Sequence, residues 1–302
     1  SPDFAIPTLK SIHANHTVAA VVTQPDRPAG RGRQPKASDV KRYASANGIA
    51  VLEPARASSK STETALKEIN PDMIVVAAYG QILRQNILEL PRFGCLNVHA
   101  SLLPRWRGAS PIQAAILHND DETGVTIMKM NEGLDTGPIL AQKSIPLSDT
   151  ITGGELFSTL SMLGAKLLIP TIEDYTAGRI TPQPQNDDIS TYAPMLKKTD
   201  GELDFTKPAR HLAAQVRAYE PWPGSYFFFN GRRIVVHAAH AVPETSGKQG
   251  AAFSVRNLPA ITCENGSIVL ESVQPAGKNT MGGDAFLNGA REFPGTNLIE
   301  TS

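Results

Sequence analysis

Hydrophobic residues in the first part of the chain occur in short continuous runs that alternate with polar, helix-forming stretches. Residues 18–23 and 73–78 are almost wholly apolar, which is typical of strands covered on both faces of a parallel sheet. Between these runs, Ser38 can cap a helix that ends near Asn47 and Gly48. This alternation of strand and helix predicts a doubly wound α/β domain.

Further strands and helices are predicted along the rest of this domain. Their ranges are 95–98, 111–118, 124–130, 139–145 and 154–175, of which 111–118 and 154–175 are helical. Pro170 should kink or break the last helix, because proline removes a backbone donor and clashes with the preceding turn. From 179 to 198 the sequence is polar and proline-rich without periodicity, which predicts a linker.

The pattern changes after residue 200. A short helix at 208–219 is followed by strand–turn–strand units that turn at Asn230-Gly231 and Asn265-Gly266, a dipeptide that favours type I′ turns. Several short strands within about 100 residues predict a small β-barrel. The predicted organisation is a first domain at 1–180, a linker at 181–199 and a second domain at 200–302.

Composition narrows the class of protein. Hydrophobic residues make up 41% of the chain and charged residues 19%, as in folded globular proteins. No apolar run approaches the roughly 20 residues that span a bilayer, and the first residues lack the basic and apolar regions of a signal peptide. We therefore expect a cytoplasmic protein without a membrane partner. Cys95 and Cys263 are too few and too distant for a disulfide framework or a zinc site, so no metal is predicted.

Two polar residues stand where the strand at 95–98 ends. Asn97 and His99 are two positions apart, so their side chains point to the same face at the carboxyl end of the strand, where α/β sheets bind ligands. An amide can donate to a developing oxyanion and an imidazole can exchange a proton near neutral pH, which together fit acyl transfer. Taken alone, a histidine at a strand end is more often structural than catalytic.

A second motif, Gly133-Leu-Asp-Thr-Gly137, follows the strand at 124–130. Its two glycines permit a tight turn that presents Asp135, although an isolated aspartate of this kind is usually a solvated turn residue. The pairing of this motif with the stretch from Asn97 to Gly108 resembles the 10-formyltetrahydrofolate-dependent formyltransferases.

The resemblance implies a Rossmann-like formyltransferase domain that uses 10-formyltetrahydrofolate as the formyl donor and needs no metal. It implies that Asn97, His99 and Asp135 surround the formyl carbon. The residues it implies for folate binding are Ser101, Leu102, Leu103 and Pro104. Two departures from the family stand out. Arg84 replaces an expected proline, and the family's first strand would precede Ser1, so we expect a truncated N-terminus.

The stretch from Asp26 to Arg42 carries six basic and two acidic residues, a net charge of +4. Its glycines and prolines favour a mobile loop that is neither helix nor strand, and composition alone fits a solvated loop as well as an RNA-binding one. Within the family, residues 24–33 resemble a loop that engages the acceptor end of tRNA, and the second domain resembles an OB-like appendage. The tRNA-binding residues implied are Arg27, Arg31, Arg33, Lys36 and Arg42.

The resemblance then implies a monomeric enzyme that formylates the amino group of methionyl-initiator tRNA for translation initiation. Two alternatives stay open. A member of the family could act on a ribonucleotide amine or a nucleotide-sugar amine, although the second domain argues against the first of these. A folate- or RNA-binding module without catalysis would have no need for all of Asn97, His99 and Asp135. The balance of 29 basic and 29 acidic residues weighs mildly against a nucleic acid partner.

Overall fold

A computed structural model describes residues 3–29 and 34–300 of the chain. The chain forms two compact units. The first consists of Ser1–Pro111, Glu122–Pro146 and Phe157–Pro194, and the second of Ile112–Asp121, Leu147–Leu156 and Met195–Ser302. The second unit therefore contains two short internal segments in addition to the C-terminal part of the chain. The domain boundaries near 180 and 200 stay predictions, since the two units are interleaved in sequence.

Helices and strands alternate along the chain as far as residue 194. The helices are α1 (Ala5–Asn15), α2 (Asp39–Ala46), α3 (Lys60–Ile69), α4 (Gln85–Leu88), α5 (Pro111–Leu117) and α6 (Gly153–Thr176). The strands are β1 (Ala20–Val22), β2 (Arg27–Ala29), β3 (Gln34–Lys36), β4 (Ala50–Leu52), β5 (Ile74–Val76), β6 (Cys95–His99), β7 (Arg107–Gly108), β8 (Glu122–Lys129), β9 (Ile139–Pro146) and β10 (Tyr192–Ala193). The elements that the hydrophobic pattern predicted in this part are all present. Helix α2 begins as expected, because the Ser38 side chain accepts a hydrogen bond from the backbone N–H of Lys41.

The largest sheet of the first unit has the strand order β5-β6-β8-β9, and a separate parallel pair joins β1 to β4. Strands β5 and β6 are parallel, whereas β8 runs antiparallel to β6 and β9 antiparallel to β8. The α/β class is confirmed. The four-stranded sheet is mixed, and the connection from β8 to β9 is too short for a parallel crossover, which accounts for the antiparallel pairing of those two strands. In this order β6 lies between β5 and β8. Its polar residues Asn97 and His99 are therefore in the interior of the sheet and not on an edge strand.

Helix α6 runs without interruption through Pro170, where the sequence predicted a kink or break. Pro170 lies on the exposed face, so the carbonyl group that loses its helical partner can be solvated. Leu168 and Ile172 are buried on either side of the proline and hold both parts of the helix to the core. Within the described residues, α6 is also the one helix long and apolar enough to cross a membrane by length and composition, although 44% of that stretch is buried inside the protein.

The second unit is built around one antiparallel sheet. The helices and strands after residue 195 are α7 (Ala209–Ala218), β11 (Ser225–Phe229), β12 (Arg232–Val242), β13 (Ala252–Val255), β14 (Leu258–Cys263), β15 (Gly266–Pro275), β16 (Met281–Gly282) and α8 (Gly283–Gly289). The strand order is β11-β12-β15-β14-β13, and β16 pairs with β15. Both predicted Asn-Gly turns are confirmed by positive φ angles at Asn230, Gly231, Asn265 and Gly266.

The core of the second unit lies between this sheet and its two helices. Leu212 of α7 and Ile261 of β14 are fully buried. Phe229 and Phe293 pack edge to face with their ring centroids 5.2 Å apart. In the described part of this unit, β11 and β13 stand at the two ends of the strand order and are not paired with each other, so a closed barrel is not among the observed features.

The two cysteines are free and buried. Burial raises the pKa of Cys95 and of Cys263 to about 12. Both groups are therefore protonated thiols near neutral pH and are shielded from reagents. We expect the native protein to resist alkylation by iodoacetamide, and both thiols to react once guanidinium chloride unfolds it. Mass spectrometry after a fixed pulse counts the modified cysteines, and rapid labelling of either one in the folded protein would contradict this burial.

Gly164 of α6 marks a close approach of the helix to the sheet. A Cβ atom at this position would lie 2.6 Å from Cγ1 of Val98 and 3.4 Å from Cγ1 of Val125. We expect Gly164→Ala to lower the free energy of unfolding by about 1–3 kcal/mol, because overpacking outweighs the better helix propensity of alanine. Gly289→Ala is the control, since no heavy atom lies within 4 Å of its added methyl group. Calorimetry that finds Gly164→Ala as stable as the wild type would refute this packing.

Candidate active site

Strand β6 positions the first two polar side chains of the site. The strand is buried along its whole length, and Asn97 pairs with Val76 on one side and Met128 on the other. Because side chains alternate along a strand, Asn97 and His99 project to the same face; their relative exposures are 9% and 6%. Buried polar groups need hydrogen-bond partners, and the loops beyond the end of β6 supply them.

Asp135, in the loop between β8 and β9, meets both of these side chains. Asn97 Nδ2 donates to Asp135 Oδ1 at 3.3 Å, and the backbone N–H of Gly108 donates to Oδ2 at 2.9 Å. His99 Nδ1 lies 3.7 Å from the same Oδ2. The main chain of Asp135 is left-handed, with φ of 53°. The structure therefore brings together the three residues that the sequence motifs singled out.

The surroundings of His99 select one tautomer of its neutral form. Nε2 lies 2.9 Å from the carbonyl oxygen of Trp106, which can only accept, so Nε2–H donates to it. Nδ1 is then the nitrogen that faces Asp135 and that carries no hydrogen in the neutral form. Trp106 is held in turn by its own N–H, which donates to Thr191 Oγ1 at 2.8 Å. The imidazole is thereby fixed in orientation, as acid–base chemistry requires.

The predicted folate-binding residues form a hydrogen-bonded turn after β6. Thr126 Oγ1 donates to the carbonyl oxygen of Ser101 at 2.7 Å and accepts from the N–H of Leu103 at 3.1 Å. Gln142 donates to the carbonyl oxygen of Leu103 at 2.9 Å. The partly exposed side chains of the turn are those of Leu102 and Pro104. The turn is structurally fixed next to the Asn97–His99 strand, and its role in folate binding stays a prediction.

The segment at 181–199, predicted as a linker, contributes to the site. As far as Pro194 it belongs to the first unit, and β10 pairs in parallel with β7. The Arg107 side chain donates to Gln185, which in turn donates to the carbonyl oxygen of Asp135. Sequence reasoning missed these residues because polar contacts leave no hydrophobic periodicity. The one available signal was the Arg-Trp-Arg-Gly motif around Arg107, which resembles an active-site loop of the family but does not indicate which residue Arg107 contacts.

The basic stretch is more regular than its composition predicted. Strands β2 and β3 pair as an antiparallel ladder in which Pro28 faces Pro35, and α2 begins at Asp39. Two prolines can share one pair because facing residues in such a ladder alternate between hydrogen-bonded and non-hydrogen-bonded positions. The prediction of neither helix nor strand is therefore wrong for these segments.

Two of the basic side chains in this stretch are already engaged by acidic ones. Arg42 lies on α2 and forms an ion pair with Asp39. Lys41 Nζ lies 2.8 Å from both Asp26 and Glu53, and the hydrogen bonds to these carboxylates raise the pKa of Lys41 above its usual value. Outside the described part of the chain lie Arg31 and Arg33, together with the side chains of Arg27 and Lys36. Contact with tRNA therefore stays a prediction for all five of the implied residues, which are Arg27, Arg31, Arg33, Lys36 and Arg42.

Neither a metal centre nor the departure at Arg84 alters this picture of the site. Across residues 3–29 and 34–300, no group of three or more His, Cys, Asp or Glu side chains is arranged to hold a metal ion. Arg84 is exposed at the start of α4, where its backbone N–H donates to Ser58 Oγ at 2.9 Å.

Similarity to known proteins extends over both units. The family described as "Formyl transferase" matches residues 4–172, and "Formyl transferase, C-terminal domain" matches residues 195–291. A methionyl-tRNA formyltransferase of Lachnospira eligens is 45% identical over 308 residues, covering 99% of this chain and 98% of that protein. One of Halorhodospira halophila is 46% identical over 299 residues, covering 98% of this chain and 96% of that protein.

A solved structure shares the fold. WlaRD, a sugar 3N-formyl transferase crystallised with dTDP and 5-N-formyl-THF, matches with a TM-score of 0.66 and 20% identity, covering 91% of this chain and 95% of that one. At this identity the likeness shows the fold alone. The two relatives, by contrast, share 45–46% of their residues with almost the whole chain, and both formyltransferase domains are matched. This chain therefore belongs to the methionyl-tRNA formyltransferase family.

Proposed function

We propose that the protein transfers the formyl group of 10-formyltetrahydrofolate to the α-amino group of methionyl-initiator tRNA, with Asn97, His99 and Asp135 carrying the chemistry. The relatives that bear this enzyme name match the chain along almost its whole length. The assignment of the residues rests on one observation, the buried cluster in which the Asp135 carboxylate meets the Asn97 and His99 side chains.

The direct test of this function offers the purified protein two acceptors. With 10-formyltetrahydrofolate as donor, methionyl-initiator tRNA should be formylated, and a nucleotide-linked amino sugar should not. The sugar is the relevant competitor because WlaRD shares the fold and acts on a sugar. Formylation of the sugar with none of the tRNA would overturn the proposal.

Each group in the cluster has a chemical role that its contacts permit. Asn97 uses one Nδ2 hydrogen on Asp135 and keeps the other for the formyl oxygen, which becomes an oxyanion when the amine attacks. His99 has Nε2–H fixed on the Trp106 carbonyl group, so it takes up a proton on Nδ1 and then offers Nδ1–H to the same oxyanion. Asp135 stabilises the positive imidazolium from 3.7 Å.

The reaction makes one bond, breaks one bond and moves one proton. The methionyl amine attacks the formyl carbon and gives a tetrahedral intermediate with a positive nitrogen and a negative oxygen. Collapse of the intermediate breaks the bond between the formyl carbon and N10 of the folate. The proton that the attacking nitrogen loses is gained by N10. His99 and Asp135 lie close together, with Nδ1 and Oδ2 3.7 Å apart, and we assign the proton relay to this pair.

We further propose that the basic stretch and the second unit contact the tRNA. Asp26 and Glu53 engage Lys41 at the base of the stretch. The predicted phosphate and base contacts are Arg27, Arg31, Arg33, Lys36 and Arg42. An OB-like second domain is supported by the antiparallel strand order and by the shifts of register in β12 between Val236 and Ala239. We expect the enzyme to work as a monomer in the cytoplasm.

Removal of any member of the cluster should abolish most of the activity. We expect Asn97→Ala, His99→Ala and Asp135→Ala each to lower kcat by at least about a hundredfold, because each removes an oxyanion donor or a proton carrier. His16→Ala is the control, since His16 is exposed at the end of α1. Single-turnover formylation measures the rate and circular dichroism verifies the fold. A near wild-type rate in any of the three variants would refute the role of that residue.

Arg31 is expected to serve the tRNA and not the folate. It lies between Gly30 and Gly32, where the backbone can approach nucleic acid closely. Arg31→Ala should raise KM for methionyl-tRNA and leave KM for the folate unchanged, and the difference should shrink as salt rises. Arg179→Ala, an exposed arginine paired with Asp174, is the control. Saturating tRNA should also protect Arg31 from trypsin; unchanged cleavage with normal kinetics would exclude this role.

A further inference from the structure

The loop that carries Asp135 is held by a side chain outside the cluster. Gln185 Nε2 donates to the carbonyl oxygen of Asp135 at 2.8 Å and to that of Gly137 at 2.7 Å. Both hydrogens of the amide are therefore used on one loop. A residue from the polar segment after α6 thus holds the main chain on which the carboxylate is mounted.

Arg107 sets the orientation of the Gln185 amide. Its Nε and Nη2 donate to Gln185 Oε1 at 3.0 Å and 2.8 Å. A guanidinium group has donors and no acceptor, so the amide must turn its oxygen towards Arg107 and its NH₂ group towards the loop. Nη2 also donates to Asp187 at 2.7 Å, which fixes the guanidinium group in turn. The Arg107 side chain is buried, which restricts the conformations open to its guanidinium group.

Hydrogen bonds thereby hold both the side chain and the main chain of Asp135. The Gly108 N–H, next to Arg107 in β7, donates to its carboxylate, and Gln185 donates to its carbonyl group. The φ angle of 53° is uncommon for a residue with a Cβ atom, and the contacts from outside the loop help to maintain it. Loss of the hydrogen bond from Gln185 to the Asp135 carbonyl group would let the loop relax and move the carboxylate away from Asn97 and His99.

We propose that Gln185 is a positioning residue for the reaction, which keeps the Asp135 carboxylate aimed at Asn97 and His99 while Arg107 sets the direction of its amide. The proposal rests on the proposed role of Asp135. A merely structural role for Gln185 makes a different prediction, because a structural residue lowers activity whether or not Asp135 is intact. A positioning residue acts through Asp135 alone.

Two substitutions by side chains of similar length remove the hydrogen bonds from Gln185 to the loop. Gln185→Glu keeps an oxygen for Arg107 and places a second oxygen against the two loop carbonyl groups, whereas Gln185→Met removes every hydrogen bond of the side chain. Each should lower kcat by about 10- to 100-fold, because small displacements of a catalytic group have effects of this size. KM for both substrates should stay unchanged. Gln183→Glu is the matched control: Gln183 is exposed and its side chain donates to the carbonyl oxygen of Thr181 in its own segment.

A double-mutant cycle decides between the two roles. In the Asp135→Asn background, Gln185→Met should cause no further loss of kcat, because the group that it positions is already gone. Thermal unfolding of each full-length variant shows that the fold is retained. Wild-type kcat in both Gln185 variants, or an equal loss in the two backgrounds, would overturn the proposal. Failure of the proposed function is distinguishable, because it would show itself as an active Asp135→Asn variant.

Discussion

The largely buried carboxylate of Asp135 lies against two polar side chains, and the strands and loops around it supply the hydrogen-bond donors that it needs. A buried carboxylate is unfavourable unless donors surround it. Here the donors are the Asn97 side chain and the backbone N–H of Gly108, which come from two separate strands. The site therefore forms only when β6, β7 and the loop after β8 are packed together.

The segment between α6 and the second unit supports both His99 and Asp135. At Thr191 it holds the Trp106 main chain, whose carbonyl group fixes His99. At Gln185 it holds the main chain of Asp135. Both residues of the proposed acid–base pair are thus supported by one stretch of chain a few residues long. A rigid second layer of this kind is what keeps acid–base groups within reach of their targets.

Regular structure and the location of the site could be predicted from the sequence, for identifiable reasons. Continuous apolar runs mark β1 and β5, and in β6 the period of two along a strand is enough to place Asn97 and His99 on one face. The Asn-Gly turns follow from the φ angles that they require.

Other features depend on contacts that a local pattern does not contain. The β2–β3 ladder contains two prolines, which argue against strands unless they face each other. The continuity of α6 depends on which side of the helix Pro170 occupies. The contribution of Gln185 depends on a hydrogen bond to a residue 50 positions away. None of these has a signature at the level of composition or periodicity.

The interleaving of the two units ties folding to the order of synthesis. The segment Leu147–Leu156 belongs to the second unit, and the N–H of Gly154 donates to the carbonyl oxygen of Glu220 at 2.9 Å. At about 5–20 residues per second, a ribosome makes Glu220 several seconds after Gly154. The first unit can collapse during that interval, but this segment must wait for its partners. The segment Leu147–Leu156 therefore stays unpacked in the nascent chain until the C-terminal part of the second unit has been synthesised.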